Sequence, residues 1–160
     1  MAKEFQLHNK KLEVYFMQNY SMALPHYSIG PAIYDDIVQF CSPHGKKIIA
    51  IGGHKAMAAA RPLLTQALAG SELQILDFLW YGGEASYENV AQLQRHQLVQ
   101  EANMIFAIGG GKALDTCKCL SVKLNKPVFT FPTIASTCAA VTTVAIMYHQ
   151  DGSFCEPFFF

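Results

Sequence analysis

Three consecutive glycines at residues 109–111 are the feature of this sequence that most directly suggests chemistry. They follow an apolar run at residues 104–108 and precede Lys112 and Asp115. Glycines allow positive backbone dihedrals and carry no Cβ atom, so the N–H groups of such a turn can approach phosphate oxygens directly. The turn therefore predicts an anion cradle, formed by Gly109, Gly110 and Gly111.

Helical periodicity begins immediately after the glycines. Apolar side chains recur on one helix face at Ala113, Cys117, Leu120 and Leu124. The first turn of this helix adds N–H donors and about half a positive charge, which favours a pyrophosphate at the glycine turn. Lys112 could add a full charge. Asp115 could accept a hydrogen bond from a ligand hydroxyl or amide, or pair with Lys112 or Lys118.

Strand and helix patterns alternate along the chain. Predicted strands at residues 47–51, 73–79, 104–108 and 127–131 alternate with predicted helices at 32–41, 55–68, 87–101 and 112–124. Pro62 is expected to kink or restart the second helix. A further edge strand is predicted at 12–17, and a hairpin over 141–159. The alternation predicts an α/β fold, a Rossmann-like doubly wound parallel sheet with a C-terminal β-hairpin.

Length and composition exclude several classes of protein. The chain has 160 residues, which is enough for one domain. It carries 12 Lys and Arg against 12 Asp and Glu and has no basic run, so no nucleic-acid partner is expected. Apolar residues make up 51%, yet no membrane-length apolar stretch and no signal peptide is evident. We therefore expect no membrane association and a cytoplasmic protein.

Cysteine and histidine spacing does not predict a metal site in this chain. The five cysteines are Cys41, Cys117, Cys119, Cys138 and Cys155, and no two form a C-x-x-C pair. Neither a disulfide framework nor a zinc ribbon is therefore predicted, and free buried thiols are expected. The six histidines show no H-E-x-x-H or other ligand spacing.

Several motifs together carry a resemblance to a known family. Gly-Gly-Gly-Lys-x-x-Asp-x-x-Lys at 109–118 is followed by Phe-Pro-Thr-Ile-Ala-Ser-Thr at 131–137, and Gly-Gly-Glu-Ala-Ser lies at 82–86. With residues 144–154, these motifs resemble the glycerol dehydrogenase branch of the iron-containing, metal-dependent alcohol dehydrogenase family. The resemblance covers roughly residues 25–155. It implies hydride transfer between a secondary alcohol, such as a polyol, and the nicotinamide of NAD or NADP.

The resemblance also implies which residues contact the cofactor. Besides the glycine turn, Lys112 and Asp115, the matching positions are Thr133, Ser136, Thr142, Val144 and Tyr148. The family usually holds the adenine ribose with an aspartate after its first strand, where this chain has Gly53 or His54. A carboxylate there favours an unphosphorylated ribose, so its absence weakens the case for NAD over NADP.

Two departures from the family bear on activity. Cys138 stands where the family has an aspartate associated with the polyol, and a thiol cannot hold a hydroxyl as a carboxylate does. The family binds its divalent metal, zinc or iron, in a following helical domain, and no such domain is expected in this chain. Residues 1–160 are therefore expected to be a truncated, N-terminal dinucleotide-binding domain. We expect it to be inactive or nearly so by itself and to self-associate as a homo-oligomer.

Two other hypotheses fit the same residues. One is a non-catalytic nucleotide-binding module that senses cofactor. The other is the cofactor domain of a sugar-phosphate cyclase similar to dehydroquinate synthase, a lyase that shares the triple-glycine turn and also uses NAD. The segment at residues 131–137 fits the dehydrogenase branch better than the cyclases.

Overall fold

The computed structural model describes residues 27–159. Its strands are β1, Lys47–Gly52; β2, Gln74–Trp80; β3, Met104–Gly109; β4, Val128–Pro132; β5, Val144–Tyr148; and β6, Phe154–Phe159. Its α-helices are α1, Ile37–Cys41; α2, His54–Ala67; α3, Tyr87–Gln94; α4, Gln97–Glu101; and α5, Gly111–Leu124. Short 3-10 turns cover Ile33–Asp36, Ser42–His44 and Ala139–Val141. The edge strand predicted at residues 12–17 lies outside the described residues.

The first four strands form a parallel sheet in the order β2-β1-β3-β4. The two central strands, β1 and β3, are apolar runs in which every residue except Lys47 is buried. Continuous apolar runs are typical of parallel strands that are covered on both faces. The remaining two strands, β5 and β6, form a separate antiparallel hairpin.

Helices cover both faces of the sheet. Successive side chains of a strand point to opposite faces, so β1 divides its side chains between two cores. Ile49 and Ile51 pack with buried side chains of α3, α4 and α5. Ile48 and Ala50 pack with buried side chains of α1 and α2. The predicted doubly wound α/β fold is confirmed.

The order of the strands reverses between β1 and β3. From β1 the chain passes to β2 at one edge, and it then crosses back to β3 on the other side of β1. In such sheets, ligands bind outside the carboxyl ends of the strands at this switch point. Gly52 and Gly109 end the two strands, and the Gly53 N–H donates to the Ile108 carbonyl at 3.3 Å. The two glycine turns therefore lie side by side at the switch point.

The helix predicted over residues 87–101 is two helices, because the chain breaks at Arg95 and His96. His96 has extended dihedrals (φ −71°, ψ 128°), and α4 then brings Val99 fully into the core. The Lys126 ammonium donates to the carbonyls of Val99 and Gln100, each at 2.6 Å. These bonds satisfy carbonyls that the end of a helix leaves without partners.

Helix α2 continues through Pro62 and does not restart there. Proline removes the N–H that would bond the carbonyl of Ala58, one turn earlier. Both Pro62 and Ala58 lie on the exposed face of α2, where water can hydrate that carbonyl. The buried face of the helix is therefore uninterrupted.

The hairpin packs against the sheet domain through β5. Ala145 and Met147 are fully buried in the same core as α5. Ser86 is the N-cap of α3: its hydroxyl oxygen accepts from the Asn89 N–H at 3.2 Å and from the Gln150 side-chain amide at 2.6 Å. The second bond ties the hairpin turn to the start of α3.

Candidate functional site

The junction between β3 and α5 is formed by Gly109, Gly110 and Gly111, the three glycines that are predicted to form an anion cradle. Gly109 has φ +148°, in the region that favours glycine, and Gly110 is the N-cap of α5. The Leu114 N–H donates to the Gly110 carbonyl at 3.1 Å. The amides of residues 111–113 precede this bond, so they are donors that a helix start leaves without an intrahelical partner. The junction can therefore offer several N–H groups and the positive end of the helix dipole to an anion.

The loop at residues 133–138 borders the glycine turn. The Thr133 N–H donates to the Gly109 carbonyl at 3.1 Å, which ties the start of this loop to the end of β3. A Cβ built on Gly110 would lie 2.8 Å from Ile134 Cδ1, and one on Gly111 would lie 3.4 Å from Thr137 Oγ1. Ile134 therefore covers the first glycine of the helix start. Ile134 is 57% exposed, so the group that stands over Gly110 is the free end of a flexible side chain.

Lys112 does not point freely into the cradle. Its ammonium lies 2.6 Å from Glu84 Oε2 and 5.5 Å from the centroid of the Tyr148 ring. The hydrogen bond to Glu84 raises the pKa of Lys112 above its ordinary value, although desolvation opposes the shift. Glu84 follows Gly82 and Gly83, which both have positive φ values, 102° and 92°. The Gly-Gly-Glu turn after β2 thus supplies a counter-charge at the start of α5.

Asp115 and Lys118 form a buried pair on α5. Lys118 Nζ lies 3.1 Å from Asp115 Oδ1, and both side chains are at most 9% exposed. Asp115 Oδ2 also accepts from the Ile146 N–H at 3.2 Å. Of the alternatives that the sequence left open for Asp115, the structure therefore shows pairing with Lys118, and its contact with a cofactor stays a prediction.

The same pair holds two of the predicted cofactor-contact residues. Lys118 Nζ donates to the Val144 carbonyl at 2.7 Å and to Thr142 Oγ1 at 3.3 Å. These bonds fasten Val144, the first residue of β5, and Thr142 to α5. Thr133 and Ser136 are exposed in the loop, while Tyr148 is half-buried on β5 beside Lys112. The hydroxyl and aromatic candidates thus come from elements that adjoin the glycine turn.

Comparison with known families decides the kinship of this chain. Residues 25–158 match the profile of the family described as iron-containing alcohol dehydrogenase. The chain belongs to the iron-containing alcohol dehydrogenase family. The resemblance found in the motifs is thereby confirmed.

Relatives of this iron-containing alcohol dehydrogenase chain include glycerol dehydrogenases. One from Thermotoga maritima is 42% identical over 74 residues, which are 46% of this chain and 20% of that protein. One from Escherichia coli is 27% identical over 128 residues, which are 80% of this chain and 35% of that protein. The solved glycerol dehydrogenase of Schizosaccharomyces pombe shares the fold, with a TM-score of 0.75 at 23% identity over 89% of this chain and 36% of that one. The chain thus spans little more than a third of these relatives at most.

His54 lies on the opposite side of the switch point from the loop of residues 133–138. It is the first residue of α2, and its ring stacks on the indole of Trp80, with centroids 5.5 Å apart and planes 16° apart. Trp80 is the last residue of β2 and is 50% exposed. The stack gives this iron-containing alcohol dehydrogenase chain an aromatic surface at the carboxyl ends of β1 and β2, although a role in binding the cofactor stays a prediction.

Sequence reasoning misses two members of this neighbourhood. Trp80 is not among the predicted site residues, although a tryptophan at the carboxyl end of a predicted strand is a detectable signal. Glu84 is predicted only as part of a motif, and its pairing with Lys112 spans 28 positions in the chain. Both contacts depend on tertiary packing.

The cysteines differ in their surroundings. Cys41, Cys117 and Cys119 are buried, and desolvation raises the pKa of all three thiols, that of Cys41 to about 12 and that of Cys119 to about 11. High pKa values make thiols poor nucleophiles, so these three are packing residues. Cys138 is exposed at the end of the loop and Cys155 is partly exposed, so the expectation of buried thiols is wrong for these two. The match of Cys138 to the family's substrate aspartate stays a prediction.

The side chains of metal-ligand type in the described part of the chain do not form a cluster. Within residues 27–159, no cluster of three or more His, Cys, Asp or Glu side chains could hold a metal ion. The family's divalent metal therefore does not fit these residues. No helix of the same residues is long and apolar enough to cross a bilayer.

Proposed function

We propose that this chain binds NAD or NADP as the cofactor domain of a metal-dependent alcohol or polyol dehydrogenase. Such an enzyme transfers hydride between a secondary alcohol and nicotinamide. The observation that supports the proposal most is the glycine turn at the start of α5, located where the strand order reverses. Backbone amides in this position are suited to a dinucleotide diphosphate. Membership of the iron-containing alcohol dehydrogenase family supports the same chemistry.

Residues of this chain would hold the cofactor from three sides. The turn of Gly109, Gly110 and Gly111 would cradle the diphosphate, which the amides of residues 111–113 at the helix start would bind, and His54 would flank the adenosine. The candidates for the ribose and nicotinamide are Thr133, Ser136, Thr142, Val144 and Tyr148. Asp115 would act through its bond to the Ile146 N–H, which holds β5 against α5. Bound NAD or NADP would supply the carbon that accepts hydride, while these residues bind and orient it.

The intact protein is proposed to act on an alcohol or polyol. Because the described residues offer no metal site, the mechanism proposed for this chain contains no step that depends on zinc or iron. We propose that the 160-residue chain binds cofactor without turning over substrate, with Cys138 near the substrate position. The two other hypotheses predict cofactor binding as well. Assays of the intact protein with alcohols separate the dehydrogenase from a cyclase or a non-catalytic sensor.

A Gly110→Ala variant tests the diphosphate site. Alanine fits the backbone at this position (φ −88°, ψ −175°), and its Cβ would meet only the flexible end of Ile134. We expect the added methyl group to obstruct the approach of a phosphate to the amides at the helix start. Losing one charge-assisted amide contact weakens binding by roughly 10- to 100-fold. Isothermal titration with NADH and NADPH should show this loss, while the melting temperature stays close to that of the wild type.

Gly30→Ala is the matched control, because a Cβ on Gly30 would have no atom within 4 Å. It should bind the dinucleotides as the wild type does. The proposal is rejected if the folded wild-type chain binds neither NADH nor NADPH. It is also rejected if the Gly110→Ala variant binds them with unchanged affinity.

Self-association is proposed from the hairpin surface. Phe154 and Phe159 on β6 are 61% and 73% exposed, which is unusual for large aromatic side chains. At high concentration, size-exclusion chromatography should show a mass above the 17.7 kDa of one chain. A Phe154→Ser, Phe159→Ser double variant should shift the chain towards the monomer. A monomeric wild type over the same concentration range would contradict the homo-oligomer.

A further inference from the structure

The carboxylate of Glu84 is held by groups from two segments. Its Oε1 accepts from the Ala85 N–H at 3.0 Å, and its Oε2 lies 2.6 Å from Lys112 Nζ. The Glu84 carbonyl also accepts from the Asn89 side-chain amide at 2.8 Å. Only 13% of the Glu84 side chain is exposed. The carboxylate is thus fixed in place beside the glycine cradle.

The position of this carboxylate explains where the Lys112 side chain goes. Lys112 is the second residue of α5, so its stem starts at the mouth of the cradle. The ammonium is drawn to Glu84 and lies over the Tyr148 ring, 5.5 Å from its centroid. The hairpin closes the other side, since a Cβ on Gly152 would be 3.7 Å from Glu84 Oε2. Glu84 therefore joins the turn after β2 to the start of α5, and the hairpin turn lies beside it.

The charge balance of the cradle follows from this pair. An unpaired lysine at a helix N-terminus would add a full positive charge to the helix dipole, and both attract a diphosphate. A carboxylate within hydrogen-bonding distance of that lysine cancels the charge at longer range. An anionic ligand then meets the glycine amides and an ion pair without net charge. The positive charge of Lys112 therefore does not add to the attraction for the ligand.

We propose that Glu84 is a positioning residue that lowers the affinity of the glycine cradle for anionic dinucleotides by holding and neutralising Lys112. The proposal rests on the proposed function, because it concerns the same diphosphate site. It also separates two roles that the sequence could not separate: the glycine amides bind the anion, and Lys112 is restrained from binding it.

The test compares Glu84→Gln, Lys112→Met and the double variant, each titrated with NADH, NADPH and inorganic pyrophosphate. Glutamine can keep the bond from the Ala85 N–H through its one carbonyl oxygen, so the turn keeps its shape. The NH2 group that replaces Oε2 cannot accept from Lys112, and the negative charge is lost. Glu84→Gln should tighten binding by roughly 3- to 30-fold, the range for one unit charge within several ångströms of the ligand. Lys112→Met should weaken binding by a similar factor because Glu84 loses its counter-charge. The double variant should return close to the wild type.

Salt dependence gives a readout that a purely structural role would not change. The affinity of Glu84→Gln should fall more steeply with ionic strength than that of the wild type, because a freed cation is screened by salt. Glu72→Gln is the matched control. It removes a carboxylate that pairs with Lys46 at 2.9 Å near the amino ends of β1 and β2, whereas the cradle lies at the carboxyl ends, so it should alter neither affinity nor salt dependence.

Weaker or unchanged binding of pyrophosphate by Glu84→Gln would overturn the proposal. So would a Lys112→Met variant that binds as tightly as Glu84→Gln. Pyrophosphate needs only the cradle and none of the adenosine or nicotinamide contacts. If the chain binds pyrophosphate but neither dinucleotide, the proposed function is rejected, and the role of Glu84 can still be tested with pyrophosphate. If the chain binds the dinucleotides with an affinity that the Glu84 substitution does not change, only the proposed role of Glu84 is rejected.

Discussion

Replacing Gly52 with alanine is expected to destabilise the fold severely, although it adds only one methyl group. A Cβ at Gly52 would lie 2.0 Å from the carbonyl oxygen of Ile108, a backbone atom of the neighbouring strand β3. Because backbone cannot rotate away as a side chain can, β1 and β3 would have to separate at the centre of the sheet. A loss of about 4 kcal/mol or more in the free energy of unfolding is expected.

Urea unfolding followed by circular dichroism measures this loss. The neighbouring Gly53→Ala variant is the control, because the nearest atom to its Cβ is Tyr81 Cε1 at 4.0 Å and its φ is −79°. As a change at a helix N-cap, it should cost no more than about 1 kcal/mol. Equal stability of the two variants would show that β1 and β3 are not in the close contact described.

Replacing Lys118 with methionine is expected to cost about 3 to 5 kcal/mol, since one partner of a buried ion pair is removed. The carboxylate of Asp115 would remain buried without its cation, and the Val144 carbonyl would lose a donor. The hairpin should therefore loosen from α5. Hydrogen exchange of the β5 amides, together with the midpoint of urea unfolding, would report both effects.

An Asp115→Asn, Lys118→Met double variant should regain most of the lost stability. Asparagine can still accept from the Ile146 N–H, and no buried charge remains without a partner. Lys55→Met, at an exposed position on α2, should change the stability by no more than about 0.5 kcal/mol. Additive losses in the double variant would argue against the pairing of Asp115 with Lys118.

Local patterns were sufficient to predict the framework of the fold. The apolar runs that became β1 and β3, the glycines that end them and the helical spacing of Ala113, Cys117 and Leu120 are all features of contiguous sequence. Their alternation leaves few possible topologies, because parallel strands joined by helices pack in a limited number of ways. Because the central strands are continuous apolar runs, helices were expected on both faces of the sheet.

Contacts between distant segments could not be predicted from those patterns. Periodicity placed Asp115 one turn from either lysine but could not show that Lys118 is the one turned inward, towards β5. The break at His96 is followed by the complete burial of Val99, a placement in the core that periodicity alone does not indicate. Likewise, the stack of His54 on Trp80 joins residues 26 positions apart at the ends of two strands. Each of these features is a product of packing.

The hydrogen bond from the Gly53 amide to the Ile108 carbonyl couples two segments that are 55 positions apart. The two turns are therefore joined by a direct bond, and moving one away from the other would break it. If a dinucleotide binds as proposed, its two halves encounter a spacing that already exists, and little ordering entropy is lost on binding. Slow deuteration of the Gly53 amide would be the direct signature of this rigidity.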